Sequence, residues 1–128
     1  MIDRLVTDYI DLYQIHVGGI SWEEMESAIA VLDQLKSKGW IRSYGWSSED
    51  RVKLSAFAEL SEGDAIQHPF NVLDQEASDI VELCERHHMT SINNAPLAMG
   101  LLSGKFQASS VLPANDVRGA EHKWVRYF

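Results

Sequence analysis

The chain has 128 residues, of which 45% are hydrophobic and 23% charged, and it carries a formal net charge of −8. This size and composition predict one globular domain over residues 1–128. General repulsion argues against nucleic acid or an anionic membrane as a partner, although a small phosphate needs only a few local donors. No segment reaches the roughly 18 apolar residues of a membrane span and no signal peptide is recognisable, so the expected location is the cytoplasm.

Strand-like and helix-like segments alternate along the chain. The first helix is predicted from a capping box formed by Ser21 and Glu24, and Gly39 can end it in the left-handed conformation. Its apolar face is predicted to contain Trp22, Met25, Ile29, Leu32 and Leu35. The pattern predicts strands at 11–16, 41–46, 65–70 and 91–95 and helices at 21–39, 48–60 and 75–88. Such repeated βα units predict an α/β fold with a parallel sheet.

Polar residues stand in or near the carboxyl ends of the four predicted strands: His16, Ser47, Gln67 and Asn94. Reactive groups of parallel α/β proteins cluster at this edge. Structural explanations stay open for three of them: His16 as a core histidine, Ser47 or Ser48 as a helix cap, and Asn94 as a turn residue. Gln67 is harder to explain structurally, because a buried amide needs several hydrogen-bond partners, which a ligand could supply.

The segment after the last strand, "APLAMGLLSGKF" at 95–106, combines glycines with the positive charge of Lys105. This combination suits an anionic phosphate, while the alternative is a short hydrophobic helix and turn. The histidines lack the paired ligand spacing of a zinc site, so no metal is expected. The lone Cys84 lies on a predicted helical face with Ala77, Ile80 and Val81, which indicates a buried structural thiol.

Four blocks in order, "LVTDYIDLYQIH", "LDQLKSKGWIRSYGWSS", "AIQHPFNVLDQE" and "APLAMGLLSGK", resemble the central part of the aldo-keto reductases. That resemblance implies a partial (β/α)8 TIM barrel containing about strands four to seven. It also implies an oxidoreductase that uses NADPH, less often NADH, to reduce a small carbonyl substrate, an aldehyde or ketone, to an alcohol. By the same resemblance, His16 is the catalytic histidine that orients and polarises the carbonyl.

The resemblance also implies a set of cofactor-binding positions. Ser47 and Gln67 match residues that hold the nicotinamide carboxamide, and Lys105 matches a lysine that contacts the cofactor in some members. Two positions depart from the family pattern, because Ser48 replaces an asparagine and Asn94 replaces an aromatic residue that stacks on the nicotinamide. The loop that cradles the pyrophosphate corresponds to Ala95, Pro96, Leu97, Ala98 and Met99.

The family's catalytic aspartate, tyrosine and lysine would come before the first residue, so the isolated chain is expected to be nearly inactive. Half a barrel would expose two edge strands, which predicts a homo-oligomer or a complementary half-barrel chain as partner. The alternative function is a non-catalytic nucleotide-binding or regulatory module, which the departures at Ser48 and Asn94 favour.

Overall fold

A computed structural model describes residues 6–17, 19–113 and 115–118. Its elements are, in chain order, β1 (Ile10–Ile15), α1 (Trp22–Ser37), β2 (Ile41–Ser47), α2 (Arg51–Leu60), β3 (Ala65–Pro69), α3 (Ser78–Arg86), β4 (Thr90–Asn94) and a 3-10 helix (Ala98–Ser103). The seven predicted strands and helices are all present, and the ends of most differ from the prediction by one to three residues.

Local sequence signals determine both ends of α1. The Ser21 hydroxyl accepts a hydrogen bond from the Glu24 amide at 3.2 Å, and the Glu24 carboxylate accepts one from the Ser21 amide at 2.8 Å. At the other end Gly39 has a φ of 73°, which a residue with a Cβ adopts only with strain. Met25, Ile29 and Leu32 are buried as predicted, whereas Trp22 is 44% exposed.

The alternative in which Ser47 or Ser48 is the N-cap of α2 is wrong. Its N-cap is Asp50, whose carboxylate accepts a hydrogen bond from the Lys53 amide at 3.1 Å. Ser47 is still the last residue of β2, and the Ser48 amide donates to the Gln67 carbonyl at 3.1 Å. Because the Ser48 amide is still hydrogen-bonded to β3, the helix begins later than the serines suggest.

The four strands form one parallel sheet in the order β1-β2-β3-β4. Each helix returns the chain so that the next strand pairs beside the previous one, as the βα repeat predicts. The core lies between the helices and one face of this sheet, here called the helix face. Its central side chains are Tyr44, Trp46 and Phe57, whose rings meet edge to face with centroids 6.0 and 5.8 Å apart around Phe57.

Helix α3 buries Ile80, Leu83 and Cys84 in the same core. Leu83 takes the place in the buried face that the sequence pattern assigned to Val81, which is only half-buried. Burial raises the pKa of the Cys84 thiol, which keeps it in the neutral form. Cys84 therefore lies in the core as the pattern predicts.

Strands β1 and β4 are the two edges of the sheet. A groove of about 920 Å³ lies between β1 and α1, and its lining is mostly apolar: Ile10, Tyr13, Ile15, Ile20, Val31 and Leu35 contribute to it. The predicted self-association, or pairing with a complementary half-barrel chain, depends on these edges and stays a prediction.

In the described part of the chain, no helix has the length and apolar character needed to cross a bilayer.

Candidate functional site

The register of the strands assigns the polar residues to one face of the sheet. Ser47 pairs with Gln67, and Gln67 pairs with Ile92. Partners in register point to the same side, and successive residues in a strand alternate. Trp46 and Ile66, the register partners just before Ser47 and Gln67, point to the helix face and are buried there. Ser47 and Gln67 therefore point to the opposite side, here called the interior face.

The carboxyl ends of the four strands form one edge, here called the carboxyl rim. His16 directly follows β1, Ser47 ends β2 and Asn94 ends β4, while Gln67 is level with Ser47. His16 is exposed, so the alternative in which it is a core histidine is wrong. The structure brings all four predicted residues to this rim, with Asn94 two positions beyond the row of Ser47 and Gln67.

Ser48 is held by the backbone at the same rim. Its amide donates to the Gln67 carbonyl at 3.1 Å, and its hydroxyl accepts from the Asp50 amide at 3.1 Å. Its hydroxyl therefore contributes to the start of α2. A role for Ser48 in holding a ligand stays a prediction.

Gln14 is a residue of the interior face that the sequence reading missed. Its Nε2 donates to Oε1 of Gln67 at 3.4 Å, although β2 lies between their two strands. Gly45 is the register partner of Gln14 and has no side chain to block this path. A Cβ at Gly45 would lie 2.5 Å from the Ala65 carbonyl oxygen, so the strands come close together here. The signal was available, because Gln14 is also an uncharged amide inside a strand.

The loop after β4 has an unusual backbone. Ala95, Ala98 and Met99 have φ values of 51°, 47° and 55°, which are strained for residues with a Cβ. The short helix and turn that the sequence offered as an alternative is present only in part, because the 3-10 segment Ala98–Ser103 is kinked by non-helical backbone at Met99 and Gly100. Strained backbone of this kind is frequent at ligand sites, which supports the predicted phosphate-binding role of the loop.

Arg118 is a second residue that the sequence reading missed. Its guanidinium donates to the Met99 carbonyl at 3.5 Å and lies 5.0 Å from the centre of the Phe106 ring. It also pairs with Asp116, and hydrogen bonds from Arg118 lower the pKa of that carboxyl to about 2. Lys105 is exposed and adds to the same effect on Asp116. The chain therefore places two cations near the loop, and no sequence motif pointed to Arg118.

His68 lies on the helix face, not at the rim. It is fully buried, and its Nε2 is 2.8 Å from the Ser91 hydroxyl. Burial lowers the pKa of His68, and the nearby Pro69 carbonyl opposes this effect only in part. Among the described residues, no group of three or more histidine, cysteine, aspartate or glutamate side chains is arranged to hold a metal ion.

The pKa of His68 predicts a pH-dependent stability. Because the folded pKa lies below the unfolded value of about 6.5, the unfolded chain binds this proton first as the pH falls. The free energy of unfolding should thus be highest above about pH 7 and decrease as the pH falls through the folded pKa of His68. Urea denaturation from pH 8 to pH 5 measures this decrease, which His68→Gln should reduce. Equal pH dependence in both proteins would contradict the assignment.

The sequence profile described as Aldo/keto reductase family matches residues 1–123. The chain belongs to this family. Two relatives with similar sequences are the following. The uncharacterized oxidoreductase YqkF of Bacillus subtilis (strain 168) is 34% identical over 116 residues, which are 89% of this chain and 38% of YqkF. The NADH-specific methylglyoxal reductase of Escherichia coli (strain K12) is 31% identical over 106 residues, which are 80% of this chain and 32% of that protein.

Solved aldo/keto reductase structures show the same fold. The glycerol dehydrogenase AKR11B4 from Gluconobacter oxydans matches with a TM-score of 0.82 and 27% identity, over 98% of this chain and 38% of that one. An aldo-keto reductase from Klebsiella pneumoniae, solved in complex with NADPH, matches with a TM-score of 0.62 and 26% identity, over 77% of this chain and 36% of that one. The four-stranded sheet is therefore part of a TIM barrel. The chain spans about two fifths of the length of the relatives it matches.

Proposed function

We propose that the carboxyl rim binds the nicotinamide end of NADP(H), or of NAD(H), and that His16 acts on the carbonyl group of a small aldehyde or ketone beside it. The observation that carries this proposal is the placement of His16, Ser47 and Gln67 on one open rim in a member of the aldo/keto reductase family. The NADPH complex of the Klebsiella pneumoniae relative supports the choice of nucleotide.

The residues present fit a carboxamide. A nicotinamide amide offers one acceptor oxygen and two donor hydrogens, and the Ser47 hydroxyl and Gln67 amide can satisfy both kinds of group. Oε1 of Gln14 is buried and has no hydrogen-bond partner among the described residues. An unsatisfied buried acceptor is rare, which sets this amide apart from an ordinary packing residue. The strained loop at 95–99 and Lys105 would hold the phosphates.

When bound, a reduced nicotinamide supplies the hydride for carbonyl reduction. An N–H of His16 would donate to the carbonyl oxygen and stabilise the negative charge that grows there. Neither Tyr13 nor Lys53 is placed to supply the proton, because Tyr13 points to the helix face and the Lys53 ammonium donates a hydrogen bond to the Ile20 carbonyl. We therefore expect substrate polarisation by His16 with a very low turnover rate.

Calorimetric titration with NADPH tests the nucleotide site. Gln67→Ala should weaken binding about tenfold, the equivalent of one lost hydrogen bond. Thr90→Ala is the matched control, because Thr90 lies on the interior face at the opposite end of the sheet and should bind normally. Equal affinity of Gln67→Ala and the unaltered chain would refute the nicotinamide site.

An activity assay on the same chain distinguishes a reductase from a non-catalytic binding module. Oxidation of NADPH in the presence of a reactive aldehyde, followed at 340 nm, should be slow and should decrease further in His16→Ala. Saturable NADPH binding with no aldehyde-dependent rate would instead favour the non-catalytic module, which the departures at Ser48 and Asn94 support.

A further inference from the structure

We infer that Gln14 is a positioning residue that sets the orientation of the Gln67 amide, and with it which hydrogen-bonding group of Gln67 faces a ligand at the carboxyl rim. This inference depends on the proposed nicotinamide site. The observation behind it is the hydrogen bond of 3.4 Å from Gln14 Nε2 to Gln67 Oε1. This bond crosses β2, the strand that lies between the strands of the two residues.

The register shows from which side Gln14 approaches. Gln14 is level with Gly45, whereas Gln67 is level with Ser47, two residues nearer the rim. The two side chains must bridge two strand spacings, about 9–10 Å, and the residue of β2 level with Gln14 adds no side chain to that path. Gly45 is that residue. Gln14 therefore reaches the Gln67 amide from the side away from the rim.

This direction of approach selects one orientation of the Gln67 amide. Because Oε1 of Gln67 accepts its hydrogen bond from Gln14 on the side away from the rim, the Nε2 donors of Gln67 are turned toward the rim. There they can donate to the oxygen of a ligand carboxamide. A ligand with a carbonyl acceptor is the chemical class that this arrangement recognises.

Reversing the hydrogen bond should create a selectivity between two probes that the unaltered chain lacks. In Gln14→Glu, a carboxylate can only accept, so Gln67 must donate to it through Nε2 and present Oε1 to the rim. The probes are NADP⁺, whose carboxamide both donates and accepts, and its 3-acetylpyridine analogue, whose acetyl group only accepts. The unaltered chain should bind both within a few-fold.

We expect Gln14→Glu to retain NADP⁺ binding within a few-fold and to bind the acetyl analogue about tenfold more weakly, measured by calorimetry at pH 8. Gln14→Leu, which cannot orient Gln67, should weaken both probes by similar factors. A purely structural role of Gln14 would not change the ratio of the two affinities. An unchanged ratio in Gln14→Glu would overturn the inference.

Two further measurements separate the possible failures. If Gln67→Ala binds NADP⁺ as well as the unaltered chain, the nicotinamide site itself is wrong. If Gln67→Ala loses affinity while the ratio in Gln14→Glu is unchanged, only the role of Gln14 is wrong. Nuclear magnetic resonance of the Gln67 side-chain NH₂ group needs no ligand: its signals should shift in Gln14→Leu, and unchanged signals would also overturn the inference.

Discussion

Replacing Phe57 with alanine is expected to lower the free energy of unfolding by about 3–5 kcal/mol. Phe57 is fully buried, and its ring contacts those of Tyr44 and Trp46 edge to face. A Cβ at Gly63 would fall 2.5 Å from Cζ of Phe57, so that ring is closely packed on this side as well. Truncation would leave a cavity beneath the centre of the sheet, which rigid neighbours fill only partly.

Urea denaturation followed by circular dichroism measures the Phe57 effect. Val52→Ala is the matched control, because Val52 lies on the same helix and is 69% exposed. Its free energy of unfolding should stay within about 0.5 kcal/mol of the unaltered chain. Equal losses in the two variants would show that α2 does not pack on the sheet through Phe57.

The helix starts illustrate what the sequence could and could not predict. The capping box of α1 involves two residues three positions apart, so the local pattern was sufficient. The segment "WSSEDRVK" contains several residues that can cap a helix, and local preference left a cap at Ser47 or Ser48 open as an alternative. The choice of Asp50 depends on how far β2 pairs with β3, which is a tertiary property. Long-range strand pairing, and not local preference alone, therefore determines where α2 starts.

The predicted rim followed from one rule about parallel sheets. Alternation of strands and helices was enough to bring His16, Ser47 and Gln67 to the same edge, because every strand runs in the same direction. The contact between Gln14 and Gln67 could not be predicted in this way. It requires the register of three strands and the absence of a side chain at Gly45, and neither can be read from periodicity.

The helix face and the interior face of the sheet have different compositions. The helix face buries large apolar rings, and burial there lowers the pKa of His68. The interior face carries Ser47 and Gln67 in the row at the carboxyl rim, beside apolar residues such as Ile92. Such polar groups stabilise the protein only when they find partners, so this face is suited to hold a polar ligand.

Gly45→Ala should destabilise the protein by about 1–3 kcal/mol and also weaken NADPH binding. The new Cβ would lie 2.5 Å from the Ala65 carbonyl oxygen and 3.0 Å from the Ala65 Cβ, so β2 and β3 must separate. Separation would also lengthen the contact from Gln14 to Gln67, which is already 3.4 Å. Ser43→Ala, two residues earlier on the same face, is the control and should change stability by less than about 0.5 kcal/mol.

A double-mutant cycle identifies which atom of Ala65 resists the new methyl group. Ala65→Gly removes the Cβ contact at 3.0 Å but leaves the closer carbonyl contact at 2.5 Å. If the backbone clash dominates, Gly45→Ala should be as harmful with Ala65→Gly as without it, with a coupling energy below about 0.5 kcal/mol in urea denaturation. Recovery of most of the lost stability in the double variant would assign the clash to the side chain. The close approach of the strands would then be set by side-chain packing, and the backbone would have room for a residue larger than glycine.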